Sequence, residues 1–209
     1  MIENYSVLAN GIIKQIKVFD NIKKYDVNYI KDRYDSYKDL SINMSYLRLG
    51  YLLGNINENI NSLLDVGYGN GDFLNVAQNI IPTCYGNEIN NYNIPNKCNF
   101  IENIYTNEYD VVCFFDVLEH FENIYDIQKL KTKYIYISVP QCHYISDEWF
   151  LNWKHRRPDE HLWHFNLNSI TNFMKEIGFN IVSYSNIEDI IRKSSDNNTN
   201  ILTAIFKKD

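Results

Sequence analysis

Asp65, Gly67, Gly69, Gly71, Asp72 and Glu88 have the types and spacing needed to hold a small charged molecule. Leu63, Leu64 and Val66 lead in as an apolar run, and from Gly71 onward Phe73, Leu74, Val76, Ala77 and Ile80 recur at helical spacing. The pattern predicts a buried strand, a glycine turn and a helix. Glycines there permit left-handed backbone and let a ligand lie against the main chain. The helix start adds free N–H groups and a partial positive charge. Dinucleotide-binding turns read G-x-G-x-x-G, with a pyrophosphate on the helix N-terminus. Here the third glycine comes one position early, and Asp72 puts a carboxylate where a pyrophosphate would be repelled. A ligand with no phosphate and a positive centre fits better, and Asp65 at the strand end would attract an ammonium or sulfonium group. The next strand, Thr83–Asn87, ends at Glu88, where an acid grips a ribose diol.

A second chemistry-bearing segment is 141–166. It holds Trp149, Trp153 and Trp163, all the tryptophans of the chain, and four of its five histidines. Tryptophan offers flat, rigid faces suited to a sugar ring or an aromatic ligand. Lys154, His155, Arg156 and Arg157 form a cluster able to recognise phosphate or carboxylate. His161 and His164, three apart, share a face if this piece is helical. A neutral histidine can take the proton that leaves a hydroxyl during attack. His161 is the first choice for that base, with His164 and His120 as rivals; His120 could instead orient its loop, and His164 could hydrogen-bond the backbone. Cys142, His143, His155, His161 and His164 match no compact zinc spacing, so no metal is expected.

These groups need a scaffold. Strands are predicted near 62–66, 83–87, 99–101, 110–115, 134–139, 180–185 and 201–206, and helices near 71–81, 124–131 and 168–177. Alternation of strands and helices marks a parallel α/β sheet. The last two strands lack an intervening helix and are expected to pair antiparallel. Residues 1–60 read as a helical cap of the same domain. Val7, Ile12, Ile13, Ile16 and Phe19 make a rough stripe, a Tyr-rich stretch (Tyr25, Tyr29, Tyr34, Tyr37) follows, and Tyr46, Leu47, Leu49, Leu52 and Leu53 mark a second helix. The core is 61–209, with 141–166 as an insertion at the carboxyl edge of the sheet, where open α/β folds bind ligands. Only Ile89–Cys98, including Pro95, separate Glu88 from the third strand, too short for a crossover helix.

Composition bounds the reading. The chain has 209 residues, 45% hydrophobic and 22% charged, as expected of one soluble domain. A net charge of −6 argues against a broad electrostatic grip on nucleic acid. No apolar run approaches membrane-spanning length, and the start of the chain lacks signal-peptide order. Cys84, Cys98, Cys113 and Cys142 read as reduced thiols of a cytoplasmic protein. Ser194–Asn200 reads as a loop. Oligomeric state is not legible.

The chain resembles the class I S-adenosylmethionine-dependent methyltransferases over roughly residues 45–185. Asp65-Val-Gly-Tyr-Gly-Asn-Gly71 is similar to their first motif and Glu88 to their ribose-binding acid. Tyr109-Asp-Val-Val-Cys-Phe-Phe-Asp-Val-Leu-Glu-His120 is similar to their fourth-strand motif, in the form typical of small-molecule enzymes, and Tyr134–Pro140 to their fifth strand. The resemblance implies a Rossmann-like methyltransferase sheet, mostly parallel with an antiparallel C-terminal strand, plus N-terminal helices. It implies S-adenosyl-L-methionine as cofactor. Gly67, Gly69 and Gly71 would carry its amino-acid part, Asp65 its amino end directly or through water, and Glu88 both ribose hydroxyls. Asn103 stands where the family often places an adenine contact, with Ile104 and Ile89 flanking the ring. Phe115 and Asp116 would approach the methyl group, although Asp116 could equally cap the next helix. Arg48 resembles an arginine that binds the cofactor carboxylate, with a plain surface arginine as the alternative. Trp149, Trp153, Arg156, Arg157 and Trp163 would bind the acceptor.

The implied activity is O-methylation of a sugar, sugar nucleotide or glycan, with a quinone-type phenol second. A nucleic-acid methyltransferase and a non-catalytic cofactor-binding module are the alternatives. The Asn/Asp-Pro-Pro-aromatic and Pro-Cys motifs of DNA methyltransferases are absent.

Overall fold

The computed structural model describes residues 2–17, 38–90, 92–193 and 197–209. Its elements in chain order are β1 (Tyr5–Val7), β2 (Ile13–Gln15), α1 (Lys38–Asn55), β3 (Ser62–Val66), α2 (Asp72–Ala77), β4 (Thr83–Asn87), β5 (Cys98–Phe100), β6 (Glu108–Phe115), β7 (Lys131–Pro140), α3 (Asp147–Asn152), β8 (Trp163–His164), α4 (Leu167–Glu176), β9 (Phe179–Ser185) and β10 (Ile201–Lys208). A seven-stranded sheet runs β5-β4-β3-β6-β7-β10-β9. Its strands β3 to β7 are parallel neighbours. β10 is antiparallel to both β7 and β9. The fold is therefore α/β, with the antiparallel C-terminal pair that the helix-free connection predicts.

Alternation along the central strands divides two cores, because successive side chains face opposite sides of a sheet. Leu64, Val66, Val112, Phe114, Ile135 and Ile137 face one side, with Trp163, Phe165 and α4's Ile170, Phe173 and Met174. Leu63, Val111, Cys113, Phe115, Tyr134 and Tyr136 face the other, under α1's Leu49 and Leu52 and α2's Phe73, Leu74, Val76 and Ala77. Near-continuous apolar runs such as Val111–Phe115 are what a strand covered on both faces requires. β9, at the edge, starts at the buried Phe179 and then alternates exposed and half-buried residues instead.

Three expected elements differ. The helical cap over 1–60 is wrong at its start: β1 and β2 pair antiparallel, and β2 also pairs with β8 from the 141–166 segment. Gly11, at φ 89°, makes the turn between them, with Asn10 Oδ1 accepting from Ile12 N at 3.2 Å. Left-handed backbone there breaks a helix and closes a hairpin. Phe19 and the tyrosines from Tyr25 to Tyr37 lie outside the described residues, while α1 forms as expected. The helix near 124–131 is a 3-10 helix ending at Lys129, because β7 already starts at Lys131. In Lys131-Thr-Lys-Tyr134 the lysines are exposed and Thr132 and Tyr134 buried, a period-two signal. The helix near 71–81 stops at Ala77, after which Ile80 and Ile81 both donate to the Ala77 carbonyl in a turn ahead of Pro82. The connection from Glu88 to β5 holds no helix among its described residues, as its length requires. Among the described residues, no helix is long and apolar enough to cross a membrane.

Candidate functional site

The turn after β3 has the expected backbone. Gly67, Gly69 and Gly71 have φ of 70°, 55° and 80°, all left-handed, where a side chain would be strained. Gly67 N donates to Asn87 O at 2.7 Å, tying the turn to the end of β4. Glu88 Oε2 accepts from Gly69 N at 2.9 Å, and its Oε1 accepts from Asn90 N at 3.0 Å. The carboxylate is thus positioned over the turn by main-chain donors before any ligand arrives. Pro95, from the short connection, lies so close to Gly71 that an added Cβ would sit 3.1 Å from its Cδ. Tyr68 packs on Gly86 and donates from its hydroxyl to Tyr92 O at 2.7 Å. The connection without a helix is therefore strapped to the glycine turn by two contacts.

Asp65 lies behind the turn at 3% exposure. Burial pushes its carboxyl up to about 8; Arg48 opposes this and Glu88 adds to it. The donor set matches a cationic ligand: no Lys or Arg stands on the turn, Asp72 occupies the first helical position, and Asp65 gains most from a neighbouring positive charge. A pyrophosphate would meet the Asp65, Asp72 and Glu88 carboxylates there.

Phe115 ends β6 and Asp116 follows it, beside Arg48. Phe115 is packed edge-on against Phe73 and Tyr136, with the Arg48 guanidinium 4.2 Å above its ring. Arg48 is not a surface arginine. Its Nε and a terminal nitrogen donate to Glu188 at 2.7 and 3.0 Å. Arg192 donates to both oxygens of Asp116 at 2.7 and 2.9 Å and to Glu188 at 3.1 Å. Ser138 Oγ, on β7, donates to Glu188 at 2.6 Å. Two arginines and two acids thus alternate at the carboxyl end of β6 and β7. Glu188 is fully buried; burial raises its carboxyl, but Arg48 and Arg192 outweigh that and hold it below the ordinary range. Asp116 adopts left-handed backbone at φ 57° and does not cap the following 3-10 helix.

The 141–166 segment separates residues that the sequence reading grouped. His120 and His161 meet edge-on, ring centroids 4.6 Å apart, and His120 Nδ1 contacts the Glu160 carbonyl at 2.8 Å. Glu119 stands beside them; one ligand atom from each of Glu119, His120 and His161 lies within 4.8 Å of the others. His164 is elsewhere, among Tyr5, Phe150 and Trp153. His161 precedes β8 in a loop and His164 lies on β8, so the two do not share a helical face. Burial drives His161 down to about 2, helped by His120 and Arg157, and His164 down to about 3. His120 is lowered too, chiefly by burial, but Glu160 and Asp116 oppose the shift. Burial thus leaves His161 and His164 poor proton acceptors at neutral pH.

Trp149 and Trp153 stack at 5.5 Å and 23° and are half-buried. Trp163 is a core residue at 2% exposure, donating from Nε1 to Phe121 O, so it leaves the acceptor set. Arg156 lies 5.3 Å from the Tyr5 ring and Arg157 pairs with Glu160 at 2.8 Å. The basic cluster is thus partly neutralised within the chain. Asn103 is exposed and accepts from Tyr105 N at 3.0 Å. Ile104 is buried in the main core and Ile89 is 88% exposed, so they do not form matched walls around one ring.

A family model described as a methyltransferase domain matches residues 41–184, more than half of the chain. The chain belongs to this methyltransferase family. No curated protein sequence matches it. Among solved structures it is similar to an S-adenosylmethionine-dependent methyltransferase of Clostridium acetobutylicum (12% identity, 87% of this chain and 98% of that one, TM-score 0.58). It is also similar to magnesium protoporphyrin IX methyltransferase of Synechocystis with SAH bound (15% identity, 90% of each chain, TM-score 0.53). A third is the 16S rRNA methylase ArmA (18% identity, 87% and 90%, TM-score 0.53). At these identities the likeness is one of fold.

Several residues of this methyltransferase's site carried no role in the sequence reading. Glu188 and Arg192 were missed because they lie far along the chain, in and after a 3-10 helix; their four-residue spacing was the available hint. Ser138 was hidden inside an apolar strand. Glu119 stood within the quoted fourth-strand motif but had no chemistry assigned to it.

Proposed function

We propose that this methyltransferase methylates an oxygen of a small polar acceptor, a sugar, sugar nucleotide or glycan end first among them. The cofactor is S-adenosylmethionine, whose sulfonium-bound methyl supplies the reactive carbon. The observation that carries the reading is the buried Asp65 carboxylate behind three left-handed glycines, with Glu88 held over the same turn. Asp65 takes the ammonium end, the glycine turn carries the amino-acid part, and Glu88 takes the ribose hydroxyls. Arg48 is engaged by Glu188 and close to Asp116, so it acts on the cofactor carboxylate only by sharing its charge. Phe115 and Asp116 border the methyl-bearing region. The stacked Trp149 and Trp153 give the acceptor a flat face. His120, its ring fixed through Nδ1, takes the hydroxyl proton at its other nitrogen. Displacement requires acceptor oxygen, methyl carbon and sulfur nearly in line, so positioning supplies much of the acceleration.

The reading is tested with labelled S-adenosylmethionine and a panel of sugars, nucleotide sugars, phenols and RNA. Label is expected in a sugar-type hydroxyl. Transfer to RNA alone would replace the acceptor class, and the partly paired state of Arg156 and Arg157 is what weighs against that result. His120→Ala is expected to slow turnover by about 100-fold or more while leaving cofactor affinity within about two-fold, the range of a positioned acid or base. Equal turnover in the variant assigns the proton elsewhere.

Asp65 gives a second test. Its carboxyl is raised to about 8 in the free protein, so it is protonated at pH 7. An arriving ammonium group favours the carboxylate and lowers that value, so binding releases roughly one proton at pH 7. Calorimetric enthalpies of cofactor binding in buffers of different ionisation enthalpy should therefore lie on a line of slope near one proton. Asp65→Asn should flatten that line, and a flat line for the native protein would remove Asp65 from the ammonium site.

A further inference from the structure

We propose that Glu119, His120 and His161 form a binding site for one divalent transition-metal ion of the zinc, cobalt or manganese class. The three come from two places in the chain. Glu119 and His120 lie on the 3-10 helix that follows β6, and His161 lies in the loop that enters β8. Their ligand atoms lie within 4.8 Å of one another, close enough for a small ion to draw them into one coordination sphere.

The second observation is the state of those atoms. Glu119 is 2% exposed, and neither carboxylate oxygen has a hydrogen-bond partner from another residue. His161 is 5% exposed, and its Nδ1 is also without a partner. Burying a carboxylate with no donor is costly, and buried charges are normally paired or coordinate metals. Among the described residues no Lys or Arg forms an ion pair with Glu119: Arg157 pairs with Glu160 and Arg192 with Asp116 and Glu188, and the two act on Glu119 only as more distant charges that burial outweighs.

His120 is oriented as a ligand is. Its Nδ1 is set against the Glu160 carbonyl at 2.8 Å, so Nε2 is the ring nitrogen that a metal would engage. Such a contact from the outer nitrogen of an imidazole fixes ring and tautomer in metal sites. Two imidazoles and one carboxylate favour first-row transition ions over magnesium or calcium, which prefer all-oxygen sets. Three protein ligands leave coordination positions open, unlike a closed structural zinc site. Chain spacing conceals this site, because Cys142, His143, His155, His161 and His164 are the potential ligands that crowd one segment of the sequence. The fold keeps only His161 of those and adds Glu119 and His120.

With the ion bound both imidazoles are ligands, so His120 serves as the proton acceptor of the proposed function only in the ion-free protein. The proposal does not depend on the acceptor or the methyl donor, so it is tested without either. Chelator-treated full-length protein is titrated with Zn2+ by calorimetry and with Co2+ by visible absorption. One equivalent should bind, with cobalt d–d bands in the visible range. Glu119→Gln and His161→Gln should each weaken Zn2+ binding by more than the roughly 10–100-fold worth of an outer-shell partner. His143→Ala, outside the cluster, should bind as the native protein does. Thermal melts of each variant report folding, and native melting with lost binding is the supporting result. No saturable binding, or binding that survives both glutamine variants, overturns the site. So does binding lost in His143→Ala alone, which would mark an adventitious surface histidine.

Discussion

Glu188→Ala is expected to destabilise the protein by about 3–5 kcal/mol, the cost of breaking a buried pair by removing one partner. Glu188 has no solvent exposure and accepts from Arg48, Arg192 and Ser138 together. Its loss leaves two largely buried guanidinium groups with Asp116 as their shared partner. For a domain of this size the melting temperature should fall by about 6–20 °C. The acid limb of stability should change as well. The Glu188 carboxyl is held below its usual 4.5, so its contribution is present above that value and is lost as pH falls through the lowered one. Calorimetric melts between pH 3 and pH 7 should thus show the native protein losing its advantage over the variant as acid is added. A variant melting within a degree of the native protein at pH 7 would mean that the network carries no net stability.

Glu88→Ala is expected to weaken cofactor binding by at least about 100-fold. Two charge-assisted hydrogen bonds to ribose hydroxyls contribute roughly 1.5–3 kcal/mol each, and about 2.8 kcal/mol already corresponds to 100-fold. Part of the loss is indirect, because the same carboxylate holds Gly69 N and Asn90 N. Glu88→Gln separates the two contributions. It keeps an acceptor for one main-chain donor but has no negative charge to offer the diol, so its affinity should fall between native and alanine. Titration calorimetry with S-adenosylmethionine and with its demethylated product reads both. Unchanged affinity in the alanine variant would detach Glu88 from the cofactor.

Much of the frame is local and was therefore readable. Strands Ser62–Val66 and Thr83–Asn87 match the expected boundaries. Apolar runs bounded by glycine or an acid leave a buried strand little alternative. The glycine turn was legible for the same reason, since three glycines within five residues serve left-handed backbone, and all three adopt it. Where local signals conflicted, the reading failed. The helix expected to reach residue 131 and the strand expected to start at 134 misplace the start of β7, which pairs from Lys131 onward with Glu108–Val111 of β6, a partner invisible to a local window. Tyr5–Val7 and Ile13–Gln15 are too short to declare themselves, and β2 depends on a partner, β8, about 150 residues away.

By itself the sequence determined the α/β order, the glycine turn with Asp65 and Glu88 around it, and hence the cofactor class. Each of these is written in neighbouring residues whose spacing limits the backbone directly. Only the tertiary structure decided which histidines meet, that Trp163 is core, that Arg48 and Arg192 share Glu188 and Asp116, and that Glu119 is buried beside two imidazoles. Apart from Arg192 with Glu188 and the neighbours Glu119 and His120, those pairings join residues about 40 to 140 positions apart, and chain spacing says nothing of distance once a parallel sheet has brought the carboxyl ends of its strands to one edge.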